Sequence, residues 1–210
     1  MEVTKENKVY LYGASGHARV IMDSLRASGY EIEALVDDNL ELTELDMLPI
    51  LHESRGLSPF IISIGKNDTR RKVAEKLTTE GATFERAIHP NAVLSPSTKI
   101  GEGTVVMAGA LINAFSQIGC HCIINTGASI DHECQLEDYV HVSPHATLCG
   151  NVSVGEGTWI GAGSTIIQGI NIGKWCVIGA GSVVTKDIPD GYLAVGNRCK
   201  LIKLINDNLL

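Results

Sequence analysis

Large aromatic side chains are scarce in this chain: three Phe, two Trp and five Tyr among 210 residues. A core without big rings must be filled by small and branched aliphatics, and the 22 glycines point to many tight turns. Positive charge is also short. Lys and Arg total 17 against 24 Asp and Glu, a net charge of −7. That is the wrong sign for the basic face of a nucleic-acid binder. No apolar run approaches the roughly 20 residues that span a bilayer. Met1-Glu-Val-Thr-Lys-Glu-Asn7 lacks the apolar stretch of a secretory signal, so a cytoplasmic location is expected. The six cysteines (Cys120, Cys122, Cys134, Cys149, Cys176 and Cys199) are then expected as free thiols. Cys120-His121-Cys122 lacks the two-residue gap and the second pair of a zinc site, so no metal is expected.

What the chain does have is a repeat. From Ile88, every sixth residue to Val184 is Ile, Leu or Val: Leu94, Ile100, Val106, Ile112 and onward without exception. Four positions further on, the residue is small or β-branched: Ala92, Thr98, Thr104, Ala110, Ser116, Cys122 and so to Ile188. A period of six fits neither a helix at 3.6 nor a simple strand at two. It fits a short flat strand followed by a corner. Three such strands close a triangular coil of about 18 residues, and stacked coils bury a continuous core. Cys122, Cys134 and Cys176 fall on the narrow inward position, where Cys acts as a compact hydrophobe.

Residues 1–85 lack the period and alternate strand with helix. Val9–Tyr12, Glu31–Val36 and Phe60–Ile64 read as strands, and His17–Ser28 and Asn67–Glu80 as helices. This predicts a small parallel α/β domain. Ligands in such sheets bind beyond the carboxyl ends of the strands, where Gly13-Ala-Ser-Gly16-His17, Asp37-Asp38 and Gly65 lie. The glycine loop opens a helix, which favours an anion such as a diphosphate. A purely structural turn is the alternative, and Gly13-x-x-Gly16 falls short of the full dinucleotide fingerprint, so a mononucleotide fits better than a dinucleotide.

Three histidines fall close together in the repeat: His132, His141 and His145. His132 follows the inward Ile130 by two, so it should face outward near a corner, flanked by Asp131 and Glu133. A carboxylate beside an imidazole raises its basicity. That suits a general base, although the setting alone fits an exposed surface histidine as well. His141 lies half a coil away, on another side of the prism. The two could serve one site only if a neighbouring subunit brought a second prism alongside.

Taken together, the chain resembles the bacterial sugar acetyltransferases that join a small Rossmann-like domain to a hexapeptide-repeat β-helix. The likeness is greatest to those acting on UDP-4-amino-4,6-dideoxy-N-acetylglucosamine in bacillosamine synthesis. It rests on Tyr10-Leu-Tyr-Gly-Ala-Ser-Gly-His17, Val36-Asp-Asp38, Ile61-Ile-Ser-Ile-Gly-Lys-Asn67, Asn125-Thr126, His132-Glu-Cys134 and His141-Val-Ser143. Ala18 and Val195-Gly-Asn-Arg-Cys-Lys200 depart from the common pattern. The resemblance implies a left-handed parallel β-helix over 86–188, a nucleotide-sugar domain over 1–85 and a C-terminal cap over 189–210. It implies acetyl-CoA as co-substrate, a UDP-linked amino sugar as acceptor and a homotrimer with sites between subunits. His132 matches the general base and Glu133 the carboxylate that raises its basicity. Ser15, Gly16, His17, Asp37, Asp38 and Gly65 match nucleotide-sugar loops. Asn125 and His141 match positions near the acetyl-CoA and amine sites, Gly150 an oxyanion donor, and Ala162 and Ala180 the pantetheine groove. Sialic acid O-acetylation, GDP-perosamine N-acetylation and a non-catalytic scaffold are the alternatives.

Overall fold

A computed structural model describes residues 7–205. Residues 1–6 and 206–210, which the sequence reading placed in the first domain and the cap, lie outside the described residues.

The repeat folds as its spacing demands. Seventeen two-residue strands, β6 (Ala87–Ile88) to β22 (Val183–Val184), follow one another every six residues. Each ends on one of the periodic aliphatics, and each pairs in parallel with the strand one coil away. Ile112, for example, pairs with Leu94 on one side and Ile130 on the other. The strands sort into three sheets that form the sides of a left-handed triangular prism. The periodic residues from Val106 onward are buried in one continuous core, with Cys122, Cys134 and Cys176 fully enclosed among them. Ile88, Leu94 and Ile100 in the first coil are only partly covered. Threonines and serines at the inward corners bond their hydroxyls to carbonyls 15 residues on, as Thr104 does with Gly119 and Ser116 with Asp131. A buried hydroxyl therefore costs little here, because the corner carbonyl that would otherwise be orphaned accepts it.

The α/β unit has a sheet ordered β3-β4-β2-β1-β5. β1 (Lys8–Tyr12), β2 (Glu31–Val36) and β5 (Phe60–Ile62) occupy the expected places. The helices α1 (Gly16–Ala27) and α2 (Asn67–Thr79) also fall where they were read. The sequence reading did not include β3 (Glu44–Leu45) and β4 (Leu48–Leu51), a short hairpin joined through Asp46 and Met47, both at positive φ. Their brevity, with Pro49 inside, leaves no alternating pattern to detect. β4 pairs in parallel with β2 and β3 runs antiparallel to β4, so the sheet is parallel except at that edge.

The α/β unit does not sit apart from the prism. Val105, Met107 and Ile123 point outward from one prism side and share a core with Ile21, Leu25 and Leu11. Beyond the last hexapeptides, β23 (Tyr192–Val195) extends this same side and β24 (Lys200–Leu204) pairs antiparallel along it.

Candidate active site

Asp131, His132 and Glu133 turn the corner between β13 (Ser129–Ile130) and β14 (Gln135–Leu136). Glu133 takes a φ of 60°, the left-handed conformation that the corner imposes. Asp131 fixes the start of the turn: its Oδ1 accepts the His132 N–H at 2.8 Å and the Asn113 amide at 3.0 Å. Those bonds hold its carboxyl below the usual range, the His132 N–H contributing most. His132 Nδ1 lies 3.1 Å from Glu133 Oε2. An ionised carboxylate only accepts, so Nδ1 carries the proton and Nε2 is left with a lone pair. The imidazole is more than half exposed, at 55%, so a substrate can reach it.

One coil further on, Gly150 lies under this ring. A Cβ there would come within 2.5 Å of His132 Nε2, so only glycine leaves the ring room. Gly150 is buried. Among the described residues its N–H has no acceptor within the chain. It is a backbone donor adjacent to the free imidazole nitrogen.

A second feature runs along the prism side that carries β15 (His141–Val142), β18 (Trp159–Ile160) and β21 (Val177–Ile178). It is a groove of about 430 Å³ lined by His141, Pro144, Trp159, Ala162, Val177 and Ala180, among others. At Gly161, a Cβ would lie 2.5 Å from the Ile178 carbonyl oxygen, so glycine there lets the next coil stack closely. Trp159 stacks on His141 with ring centroids 5.5 Å apart and donates its indole N–H to Ser143 Oγ at 2.7 Å. The groove wall is predominantly apolar.

At the strand ends of the α/β unit, Ser15 and Gly16 are exposed where α1 begins. Ser15 makes no side-chain cap bond to the helix, and its carbonyl accepts the Ala18 N–H at 3.0 Å. Asp37 is occupied structurally: it accepts the Ala14 N–H at 2.8 Å and the Asn39 N–H at 2.9 Å, which fixes the glycine loop. Asp38 is exposed and accepts the Tyr12 hydroxyl at 2.7 Å. Lys76 in turn donates to that hydroxyl at 2.9 Å.

The site residues read from the sequence do not gather into one place. His17, Gly65, Asn125 and His141 meet in the seam between the α/β unit and the prism. The His17 and His141 rings lie 6.4 Å apart. Asn125 Oδ1 accepts the Thr126 N–H, so its Nδ2 faces His141 Nε2 at 3.2 Å, and His141 carries its proton on Nδ1. Burial, then nearby Arg70, pushes His17 down to about 4 and His141 to about 3. Both are neutral at pH 7, the Gly65 backbone lies against His141, and His17 Nε2 has no partner among the described residues. His132 with Gly150 is elsewhere. Its corner joins the two prism sides that do not carry His141, so one chain does not bring the two histidines into one cavity.

The sequence reading assigned no role to Arg70 or Asn67, which are 1% and 0% exposed. A signal was present: Arg70 stands three, four and seven residues before Val73, Ala74 and Leu77, on the buried stripe of α2. No group of His, Cys, Asp and Glu able to hold a metal occurs among the described residues.

A stacked prism with a side groove and an α/β unit against it is the architecture of the hexapeptide-repeat acyltransferases. Residues 8–77 match the PglD N-terminal domain, and residues 151–186 the hexapeptide repeat of succinyl-transferase. PerB from Caulobacter crescentus, solved with CoA and GDP-perosamine, is 41% identical over 93% of this chain and 97% of its own, with a TM-score of 0.89. The acetyltransferase domain of PglB from Neisseria gonorrhoeae FA1090, solved with acetyl coenzyme A, is 35% identical over 94% of this chain and 100% of its own, with a TM-score of 0.88. The UDP-N-acetylbacillosamine N-acetyltransferase of Bacillus subtilis (strain 168) is 43% identical over 110 residues. Those residues make up 48% of this chain, and the chain spans about half, 51%, of that curated relative. The chain belongs to the acetyl-CoA-dependent hexapeptide-repeat acyltransferases, alongside the bacterial N-acetyltransferases of nucleotide-linked amino sugars.

Proposed function

We propose that this protein transfers acetyl from acetyl-CoA to the amine of a nucleotide-linked amino sugar, with His132 as general base. One observation carries the reading: Glu133 fixes the His132 tautomer so that Nε2 is free, and the ring lies over Gly150, whose N–H has no acceptor among the described residues. In the reaction, Nε2 takes a proton from the sugar ammonium, and the amine attacks the thioester carbonyl. The Gly150 N–H donates to the carbonyl oxygen as it gains negative charge. With the first proton passed to solvent, Nε2 takes a second proton from the nitrogen as the C–N bond forms; the C–S bond then breaks and the departing thiolate takes that second proton from His132. The groove beside Ala162 and Ala180 holds the pantetheine arm. Ser15, Gly16 and His17, with Asp37, Asp38 and Gly65, form the nucleotide-sugar loops.

Among acceptors, GDP-perosamine has better support than the UDP-linked 4-amino-4,6-dideoxy sugar, because the C. crescentus protein matches over nearly its whole length. The UDP sugar is the second reading, favoured by the B. subtilis match. Separation of His132 from His141 within one chain supports a homotrimer in which neighbouring subunits complete each site. Residues 1–85 would hold the nucleotide, 86–188 the thioester, and 189–210 would close the prism. No helix among the described residues is long and apolar enough to cross a membrane. Acetyl-CoA as co-substrate favours a cytoplasmic setting.

The test is thiol release from acetyl-CoA with GDP-perosamine and with the UDP-linked amino sugar, for the wild type and His132→Ala. GDP-perosamine is expected to have the higher kcat/KM, and His132→Ala to lose roughly 10²–10⁴-fold. Turnover of neither sugar, or full turnover by His132→Ala, would overturn the reading.

A further inference from the structure

Arg70 is wholly enclosed, yet none of its hydrogen-bond partners is a carboxylate. Its Nε donates to the His121 carbonyl at 2.8 Å. Nη1 donates to the Ile64 and Gly65 carbonyls at 2.9 and 3.1 Å. Nη2 donates to Asn67 Oδ1 and to the Tyr139 carbonyl, both at 2.8 Å. All five N–H groups of the guanidinium are therefore used, each on a neutral oxygen. Such a group carries no net ion-pair attraction. What it supplies is geometry, because the planar fork fixes where its acceptors stand.

The acceptors come from two bodies. His121 and Tyr139 belong to successive coils at one prism corner, and both take the left-handed backbone conformation there, at φ 53° and 60°. Gly157, one coil further along the same corner, accepts the Asn67 amide at 2.9 Å. Their side chains reinforce the row: the His121 and Tyr139 rings stack with centroids 5.4 Å apart, and Phe84 meets His121 edge-on. Ile64 and Gly65, by contrast, belong to the loop after β5. That loop is tied to the glycine loop. Ser63 Oγ lies 2.6 Å from the Gly13 carbonyl oxygen and 3.0 Å from that of Tyr12. A Cβ on Gly13 would come within 2.8 Å of Ile64. A continuous series of short bonds thus runs from the prism corner through Arg70 to the loop that ends in His17.

We infer that Arg70, with Asn67, is a positioning residue that sets the Gly13–His17 and Gly65 loops at a fixed separation from the prism. The inference rests on the proposed function for its kinetic consequence, since those loops are the ones assigned to the nucleotide sugar. The acetyl-CoA groove is built from the prism alone and does not depend on Arg70. A residue that merely held the fold together would affect both ligands.

The experiment uses the full-length protein and Arg70→Lys, which keeps the charge but cannot bridge five acceptors. CoA affinity by calorimetry is expected to match the wild type. Meanwhile kcat/KM for the nucleotide sugar should fall by roughly 10²-fold, the scale of a misplacement of about 1 Å. Amide exchange in residues 13–17 and 64–66 should accelerate. Wild-type kcat/KM and wild-type exchange in Arg70→Lys would overturn the inference, as would parallel loss of CoA affinity. If Arg70→Lys fails to fold, Asn67→Ala must show the same split between the two ligands, and its absence overturns the inference. Should the wild type acetylate no nucleotide sugar, the proposed function fails, and the exchange data still decide the role of Arg70.

Discussion

His132 Nε2 would stand 2.5 Å from a Cβ on Gly150, so ring and glycine occupy their places only together. They are 18 residues apart in sequence and adjacent in space because one coil of the prism is three six-residue repeats of the sequence. The sequence period thus places a basic nitrogen beside a backbone N–H without any loop or insertion to build the site.

Gly150→Ala is therefore expected to displace the imidazole without disturbing the prism. Gly150 has no positive φ to preserve, so alanine meets no backbone strain. Activity should fall toward that of His132→Ala, while Tm stays near wild type. Thiol-release kinetics beside calorimetric melting check this. An alanine variant with wild-type turnover would mean that the ring can move away and still act, or does not act at all.

Separation of His132 from His141 by the width of the prism leads to a test by complementation. If each site takes His132 from one subunit and His141 from the next, two inactive chains can restore each other. Co-expressed His132→Ala and His141→Ala chains should recover a fraction of wild-type activity in mixed trimers. Each variant alone should stay inactive. Mixed assemblies, verified by two purification tags, that remain inert would place both histidines in service of separate single-chain sites.

The groove gives a third expectation. Ala162 and Ala180 are exposed along its wall, one coil apart. Ala180→Leu would add three carbons to the groove wall. KM for acetyl-CoA should rise, with the KM for the nucleotide sugar unchanged. A change confined to the sugar constant would remove the groove from the acetyl-CoA path.

How much of this was legible beforehand follows from what each residue touches. The prism was legible because Ile88 to Val184 obey one spacing rule, and each obeys it by packing against its own repeat. The outward, corner position of His132 followed from its offset of two from Ile130. The seam was not legible. Nothing in the spacing of Asn125 and His141 says that His17 will lie against them, since that contact depends on how α2 docks on a prism corner. Arg70 carries the docking, and a charged residue on an apolar stripe reads as surface unless its acceptors are known. The β3–β4 hairpin was missed for a simpler reason: its strands are too short to show a pattern.

Buried histidines give the last expectation, and its sign can be worked out. Burial, followed by Arg70, lowers His17 and His121 to about 4 and His141 to about 3. In the unfolded chain a histidine titrates near 6.5. Between those values the unfolded state binds more protons than the folded state, so stability falls as pH falls. The full contribution is present above about pH 6.5 and is lost progressively toward pH 4 and below. Tm should therefore begin to decline below about pH 6.5, before the carboxylates start to titrate. His121→Gln isolates one part of the slope. It removes a titrating ring from the corner that Arg70 grips, without touching His132 or the groove. The variant should show a shallower decline of Tm with acid than the wild type, even if its Tm at pH 8 is lower. An unchanged slope would mean that His121 is protonated in the folded protein, and that Arg70 does not exclude a second charge from that corner.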